Sequence, residues 1–178
     1  MRVANVIILS VLVWLAGPMS ARAAEAGAIV SWGAIAFDSK ALDANDFIAI
    51  SAGDHHVLAL KSDGSIIGWG SNKYGQAMPP DGNDFVAVSA ARVHSLALKK
   101  DGSIVGWGNA ADIGLIPEAN DVIAICAASS LFFPEFGGYS HNLALRADGS
   151  VLAWGWNKYG QANAPPGNDY GAIAAGVN

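Results

Sequence analysis

Residues 94–108 read HSLALKKDGSIVGWG, and nearly the same sequence occurs at residues 56–70, HVLALKSDGSIIGWG, and at residues 141–155, HNLALRADGSVLAWG. A histidine opens each stretch, at His56, His94 and His141. The Trp-Gly pair recurs at spacings of 37, 38 and 47 residues, at Trp32, Trp69, Trp107 and Trp154. Self-similarity at a fixed period is the signature of a repeat architecture. The chain is therefore predicted to consist of units of 37–38 residues, the third carrying an insertion of about nine around SSLFFPEFGG.

Each repeated stretch predicts a β-hairpin. An Asp-Gly pair separates two apolar runs in every copy, at Asp63, Asp101 and Asp148. Asp-Gly between apolar runs favours a two-residue type I′ turn, and the turn fixes the pairing of the strands. Counting outward from Asp101-Gly102 places Leu98 opposite Val105 and Leu96 opposite Trp107. The predicted hairpin therefore has one bulky face and one face of Ala and Gly, so that successive sheets can nest.

A third strand is predicted after each Trp-Gly loop, where the chain reads DFIAISA, DFVAVSA, DVIAICA and DYGAIAA. These segments alternate large and small apolar residues, as strands do. No run after residue 23 has helical periodicity. Short antiparallel strands in units of this length predict an all-β fold of propeller blades.

The N-terminus has a different character. Residues 1–23 contain Arg2, an apolar run of about 14 residues and the A-x-A sequence Ala21-Arg22-Ala23. This pattern is typical of a secretory signal peptide, and the apolar run is short for a membrane span. We expect residues 1–23 to be removed, leaving the repeat domain at residues 24–178, and we expect a secreted or periplasmic protein with no other membrane association.

The charge of the chain argues against nucleic acid as a partner. Removing Arg2 and Arg22 from the 10 basic residues leaves 8 against 15 acidic residues, a net charge of −7. Binding to phosphate backbones requires clustered Lys and Arg, and the sequence has no basic run. The single cysteine, Cys126, cannot form an internal disulfide, so packing must hold the domain together.

The repeat resembles that of the regulator of chromosome condensation family. The pattern G-x-x-H-x-x-A-L-x-x-D-G-x-[VI]-x-x-W-G-x-N-x-x-G-Q is nearly whole at residues 53–76, and again at residues 94–108 and 138–161. The resemblance covers most of residues 27–178 and implies a β-propeller, usually of seven blades. The style of the loops most resembles secreted bacterial members, which include a propeller-type β-lactamase inhibitor.

Three departures from the pattern bear on the architecture. The first unit lacks the Asn-x-x-Gly-Gln loop after Trp32, the third has Leu115 at the Gln position, and only three His-x-Leu-Ala-Leu strands are present. Seven blades at this period would need roughly 260 residues. We therefore expect a partial β-propeller of about three and a half to four units, an incomplete form of a seven-bladed one. A truncated reading frame, an open stack and self-association that completes the ring remain as alternatives.

The sequence favours a protein that is not an enzyme. A catalytic residue needs to occur once, whereas the histidines recur in every unit, so we expect them to bond to neighbouring blades. Asp63, Asp101 and Asp148 are explained by turn chemistry. No spacing of ligands predicts a metal, no motif predicts a cofactor, and Cys126 replaces a serine of the other units and is expected to be a small buried residue.

The candidate contact residues are aromatic and basic side chains on loops, which a rigid scaffold commonly presents to partners. They comprise Lys73, Tyr74, Trp156, Lys158 and Tyr159 after the Trp-Gly strands, and Phe132, Phe133, Phe136 and Tyr139 in or beside the insertion.

The function predicted from these features is that of a secreted, non-catalytic module that binds a protein partner of unknown identity. The family resemblance implies two alternatives, inhibition of a β-lactamase or another enzyme and guanine-nucleotide exchange on a small GTPase. Because the repeats end early, a truncated remnant without function is a further alternative.

Overall fold

The computed structural model describes residues 46–128 and 139–176, which contain three three-stranded antiparallel sheets. In each sheet the strands lie in chain order. The first sheet is β1 (Phe47–Ala52), β2 (His56–Lys61) and β3 (Ile66–Gly70), and the second is β4 (Phe85–Ala90), β5 (His94–Lys99) and β6 (Ile104–Gly108). The third is β7 (Val122–Ala127), β8 (His141–Arg146) and β9 (Val151–Gly155), and the four-residue helix α1 (Ala110–Ile113) precedes it. The prediction of an all-β fold of small repeated sheets is confirmed. The predicted signal peptide and the first Trp-Gly unit lie outside the described residues.

The hairpins differ from the predicted two-residue turn. Lys99 donates its N–H to Ser103 at 2.9 Å, and Gly102 donates to Lys99 at 3.0 Å with a φ of 80°. This is a three-residue loop in which a turn is followed by a left-handed glycine. Asp101 Oδ1 accepts from the backbone N–H of Ser103 at 3.0 Å and from its hydroxyl at 2.6 Å, which holds the turn.

The longer loop shifts the pairing by one residue, so the predicted register is wrong. Leu98 pairs with Ile104 and Leu96 pairs with Gly106, while Ala97 pairs with Val105 and Ser95 with Trp107. Directly opposed residues share a face of the sheet. Each face therefore combines large and small side chains across the strands, in place of one bulky face and one bare face.

The third predicted strand exists, and it opens the following sheet. The segment DFVAVSA forms β4 and pairs with β5. A bulge at the second residue of the strand interrupts the expected alternation, between Phe85 and Ala87 and at the same place in the other two sheets. The bulged positions Val86 and Ile123 are consequently exposed by 44% and 58%.

The hydrophobic core lies between sheets. One cluster joins Leu58 and Leu60 of the first sheet to Phe85 and Ala97 of the second, and Trp107 packs against it. A second cluster joins the second sheet to the third, through Leu96, Leu98, Val122, Ala144 and Trp154. No sheet could bury its apolar faces alone, which is the reason that repeat proteins depend on neighbouring units.

A close backbone approach fixes the distance between successive sheets. A Cβ on Gly64, in the first hairpin, would lie 2.3 Å from the carbonyl oxygen of Asn83, and the equivalent distances are 2.4 Å from Gly102 to Asn120 and 2.2 Å from Gly149 to Asn168. The same turns accept hydrogen bonds at their glycine carbonyl, from Phe85, Val122 and Tyr170 at 3.1–3.3 Å. The recurring Asn-Asp pairs are thus the points where the chain crosses the previous hairpin.

The packing predicts that Gly68→Ala destabilises the fold. A Cβ at Gly68 would lie 2.5 Å from the carbonyl oxygen of Ala77, in the segment that crosses β3 on its way to the next sheet. Since backbone must move to admit the methyl group, we expect a loss of about 1–3 kcal/mol in the free energy of unfolding. Urea denaturation measures it, with Gly171→Ala as the control because its Cβ would meet nothing within 4 Å. Equal stability of the two variants would contradict the close approach.

Candidate binding surface

The loops after the Trp-Gly strands of the first and third sheets are built by their own amide side chains. Asn72 Oδ1 accepts from the N–H of Ala77 at 3.0 Å, and Gln76 Oε1 accepts from Tyr74 at 2.8 Å. The third sheet repeats the geometry, with Asn157 accepting from Ala162 at 2.9 Å and Gln161 from Tyr159 at 2.9 Å. The Asn and Gln of the NKYGQ sequence therefore fold the loop, and the Lys side chain is exposed in both copies.

The same loop joins adjacent sheets. The backbone carbonyl of Gln76 accepts from Trp107 Nε1 at 2.9 Å and from the Ser95 hydroxyl at 3.0 Å, both in the second sheet. Trp107 thus has a polar partner in the preceding unit, in addition to the apolar packing of its partly buried ring.

Helix α1 replaces this loop in the middle unit, where the Gln is missing. Asn109 caps the helix by accepting from the N–H of Ala111 at 3.0 Å. The carbonyl of Ile113 then takes the role of the Gln76 carbonyl and accepts from Trp154 Nε1 at 2.9 Å. Leu115, at the Gln position, is 92% exposed. The sequence analysis did not predict this helix, because four residues are too few to show a helical period.

The repeated histidines lie in the interfaces between sheets. Nε2 of His56 is 2.8 Å from the Ser95 hydroxyl, and Nε2 of His94 is 2.8 Å from Asn142 Oδ1. Ser95 and Asn142 occupy the same repeat position in successive sheets. Burial lowers the pKa of His56 to about 4, and burial also lowers the pKa of His94 and of His141. All three rings are therefore neutral at pH 7, and those of His56 and His94 bond to the next sheet.

A buried polar group that the sequence analysis missed supports the second of these histidines. Asp112, on α1, is 3% exposed, and its Oδ1 accepts from the N–H of Ser140 at 3.2 Å. The Asn142 side chain donates to the carbonyls of Asp112 and Ile113, each at 3.2 Å. Aligning Val57, Ser95 and Asn142 as one repeat position would have indicated Asn142, but nothing in the sequence marks Asp112.

The turn aspartates are engaged in hydrogen bonds within their own turns. Ser65, Ser103 and Ser150 hold down the pKa of Asp63, Asp101 and Asp148 by hydrogen bonding to their carboxylates.

Cys126 is half-buried and accepts from the N–H of Ala175 at 3.3 Å, and burial raises the pKa of its thiol. The first two sheets use Ser51 and Ser89 for the same contact.

Four of the candidate contact residues come together on one surface. The Trp156 ring lies 5.3 Å from Tyr139 and 5.2 Å from Tyr159, edge to face in both pairs. Lys158 Nζ lies 5.5 Å from the centre of the Tyr159 ring, and Tyr159 is 76% exposed. We call Tyr139, Trp156, Lys158 and Tyr159 the aromatic surface.

The other candidates are not part of the aromatic surface. Lys73 lies 5.3 Å from the ring centre of Tyr74, on the equivalent loop of the first sheet. The second sheet packs between the first and the third sheets. Tyr74 is half-buried, unlike Tyr159. The phenylalanines Phe132, Phe133 and Phe136 lie outside the described residues, as does Trp32.

Neither a metal cluster nor a membrane span is found in the part of the chain that the structure describes. No group of three or more His, Cys, Asp or Glu side chains within residues 46–128 and 139–176 is placed to hold a metal ion. No helix there has the length and apolar character to cross a membrane.

The interface geometry predicts that Ser95→Ala weakens the fold. The side chain is fully buried, and its loss leaves His56 Nε2 without its partner in the next sheet. An unsatisfied buried polar group costs about 1–3 kcal/mol, so we expect a loss of stability in that range. Urea denaturation of Ser95→Ala and of the exposed control Ser62→Ala tests this, and a difference below the error of the measurement would contradict it.

The lowered histidine pKa predicts a dependence of stability on pH. Between its ordinary pKa of 6.5 and about 4, His56 is protonated in the unfolded chain and neutral in the folded one. Stability is therefore full above pH 6.5 and falls with pH by up to about 1.4 kcal/mol per unit for this one ring. The turn aspartates lose their contribution only below 3.8, which is a separate window.

The free energy of unfolding at pH 7.5, 6.0 and 5.0 measures this effect. We expect His56→Gln to reduce the slope between pH 6 and 5, and the exposed control His55→Gln to leave it unchanged. The same slope in all three proteins would show that His56 is not held neutral by burial.

Comparison with known proteins identifies the repeat. A family model for the regulator of chromosome condensation repeat matches residues 47–76 and 136–161. A search of curated proteins found no match. The matched residues contain the His-x-Leu-Ala-Leu strand, the Asp-Gly turn and the Trp-Gly loop in the first and third sheets.

Solved β-propellers share the fold. Human WBSCR16 matches with a TM-score of 0.55 at 19% identity, over 74% of this chain and 42% of its own. The ectodomain of the Physcomitrella patens receptor kinase CR4 matches with a TM-score of 0.54 at 20% identity, over 73% of this chain and 36% of its own. Prp20, the yeast RCC1, matches with a TM-score of 0.53 at 17% identity, over 74% of this chain and 40% of its own. The chain spans about two fifths of these structures, and it carries repeats of the regulator of chromosome condensation type folded as sheets of a β-propeller.

Proposed function

We propose that the chain is a secreted, non-catalytic module that binds a protein partner through the aromatic surface. The observation that carries this proposal is the arrangement of Tyr139, Trp156 and Tyr159, with rings 5.2–5.3 Å apart and Tyr159 76% exposed. Tyrosine and tryptophan are the side chains that most often dominate binding energy at protein interfaces.

The scaffold beneath this surface supports the proposal. The loop that carries Trp156, Lys158 and Tyr159 is fixed by the Asn157 and Gln161 hydrogen bonds, and Asn157 also donates to Asn163 at 2.7 Å. Rings that are already held in place lose little conformational freedom on binding. Lys158 adds a cation beside the Tyr159 ring, so the surface suits a partner with an apolar contact patch and a neighbouring carboxylate.

The placement of the histidines supports a non-catalytic role. His56 and His94 use Nε2 for bonds between sheets, and both rings are fully buried. A catalytic base must reach the proton that it abstracts, and these rings are already engaged in packing.

Secretion is proposed from residues 1–23, which have the charged, apolar and small-residue regions of a signal peptide. Expression with and without these residues, followed by fractionation and mass measurement, tests this part. We expect a processed protein starting near Ala24 outside the cytoplasm, and an unprocessed cytoplasmic protein would contradict it.

Guanine-nucleotide exchange is the second candidate, favoured by one comparison. The structure of Prp20p from Saccharomyces cerevisiae, which is described with its binding to Gsp1p and histones, matches with a TM-score of 0.50 at 19% identity. That likeness concerns the fold, and the proposed export separates this chain from GTPases, which act inside cells. Nucleotide release from a small GTPase in the presence of the protein is the direct assay.

The main proposal predicts that Tyr159→Ala reduces partner binding at least tenfold. Removing an exposed aromatic anchor costs about 2 kcal/mol or more at an interface. Partners are captured from the envelope and medium fractions of the source cells and purified, and their dissociation constants are measured by calorimetry. A class A β-lactamase is included as one candidate partner.

The matched control is Tyr74→Ala, which truncates the equivalent residue of the first loop away from the aromatic surface. Binding that responds equally to Tyr74→Ala and Tyr159→Ala, or to neither, would contradict the proposed surface.

A further inference from the structure

The chain contains an Asp-Gly pair besides those of the three hairpin turns. It is Asp81-Gly82, in the segment that leads from β3 to β4 and so from the first sheet to the second. The hairpin pairs are Asp63-Gly64, Asp101-Gly102 and Asp148-Gly149. The same dipeptide therefore occurs in two different structural settings within one protein.

An aspartate followed by glycine can rearrange without an enzyme. The glycine nitrogen, which no Cβ shields, attacks the side-chain carbonyl carbon of the aspartate and closes a five-membered succinimide. One carboxylate oxygen leaves as water, taking the amide proton and one proton from solvent. Water then opens the ring. Opening at the side-chain carbonyl restores aspartate, whereas opening at the main-chain carbonyl leaves the glycine joined to the side chain, which is isoaspartate.

The hairpin pairs are held away from this reaction by hydrogen bonds. Asp101 Oδ1 accepts from the N–H and the hydroxyl of Ser103 at 3.0 and 2.6 Å, and the Gly102 N–H donates to the Lys99 carbonyl at 3.0 Å. The first and third hairpins have the same three bonds, all between 2.6 and 3.0 Å. In each turn, both the carboxylate and the attacking nitrogen are engaged.

Asp81-Gly82 has none of these restraints. Both residues are exposed, whereas the glycines of the first two hairpins are buried and Gly149 is half-buried. Among the described residues, no group donates a hydrogen bond to the Asp81 carboxylate, and no group accepts one from the Gly82 N–H. The serine of the turns is replaced by Asn83. Attack of the nitrogen on the carboxyl carbon at Asp81 therefore requires no hydrogen bond to break.

We propose that Asp81-Gly82 is the site at which this chain forms isoaspartate, and that the modification loosens the contact between the first and second sheets. The proposal concerns a covalent change in the scaffold, and it does not depend on the proposed function.

The modification would act on the backbone contact that sets the spacing of these sheets. Isoaspartate adds a methylene group to the main chain two residues before Asn83, whose carbonyl lies against Gly64. The Phe85 N–H then bonds to the Gly64 carbonyl at 3.2 Å, and the Asp84 carbonyl accepts from the Lys100 N–H at 2.8 Å. A longer main chain before these bonds displaces the groups that make them, so the contact is weakened.

Incorporation of solvent oxygen measures the reaction at all four pairs in one experiment. The full chain is incubated at neutral pH in water enriched in oxygen-18, either folded or unfolded in urea, because each opening of the succinimide inserts a solvent oxygen. Trypsin places the pairs in separate peptides, residues 62–73, 74–92, 101–146 and 147–158. Electron-transfer fragmentation in the mass spectrometer locates the isoaspartate within each peptide.

We expect Asp81 in the folded chain to take up label and form isoaspartate at least about tenfold faster than each hairpin aspartate, since three hydrogen bonds must break in a turn. In urea these bonds are absent, so the four pairs should react at similar rates.

Two variants test the cause and the consequence. Ser103→Ala removes the hydroxyl that holds Asp101, so labelling of Asp101 should rise several-fold while that of Asp81 is unchanged. Asp81→Glu introduces the residue that the next crossing has as Glu118, and it should abolish the reaction because glutamate would have to close a six-membered ring. After prolonged incubation, the unaltered chain should unfold at lower urea than before, and Asp81→Glu should not.

Four results would overturn the proposal. They are equal labelling of all four pairs in the folded chain, an equal preference for Asp81 in urea, no rise at Asp101 in Ser103→Ala, and the same stability of the incubated Asp81→Glu variant and the incubated unaltered chain.

Discussion

The architecture depends on the contact between each hairpin and the segment that opens the next sheet. At Gly64, Gly102 and Gly149 the following chain passes so close that no side chain would fit, and it donates a hydrogen bond to the glycine carbonyl. Because this contact is made by backbone, it tolerates variation in the surrounding side chains. It sets the separation between sheets, and the Leu clusters fill the space that it leaves.

Polar contacts between sheets add specificity to this packing. The histidine of one sheet selects a hydroxyl or amide from the next, and the tryptophan reaches back to a loop carbonyl of the preceding unit. The middle unit shows how much can change while these contacts remain. Helix α1 replaces the loop, yet the Ile113 carbonyl accepts the Trp154 bond that the Gln76 carbonyl provides for Trp107.

Much of this architecture could be predicted from the sequence, because each unit repeats its strands and turns. The hairpins, the sheet-forming segments and the partial propeller followed from the period of 37–38 residues. The register did not, because Asp-Gly serves both two-residue and three-residue turns. Only the structure shows the left-handed Gly102 and the Asp101–Ser103 hydrogen bonds of the three-residue turn. Asp112 could not be predicted because its burial results from a replacement of the loop in only one unit.

The candidate sites were predictable to different degrees. The sequence indicated Tyr139, Trp156 and Tyr159 as exposed aromatics, but only the structure shows that their rings meet. The repeat aligns Asp169 with Asp46, Asp84 and Asp121, and the structure shows that the following Tyr170 bonds to the preceding hairpin as Phe85 and Val122 do.

Amide hydrogen exchange tests most directly whether each sheet positions the start of the next. The N–H groups of Phe85, Val122 and Tyr170 all bond to the preceding hairpin, but only the first two belong to paired strands. The account predicts that Tyr170 and Ala175 are protected from exchange, while Ala172 and Ala174 exchange faster. Exchange of Tyr170 and Ala175 at the rate of an unfolded chain, with Phe85 and Val122 protected, would contradict it.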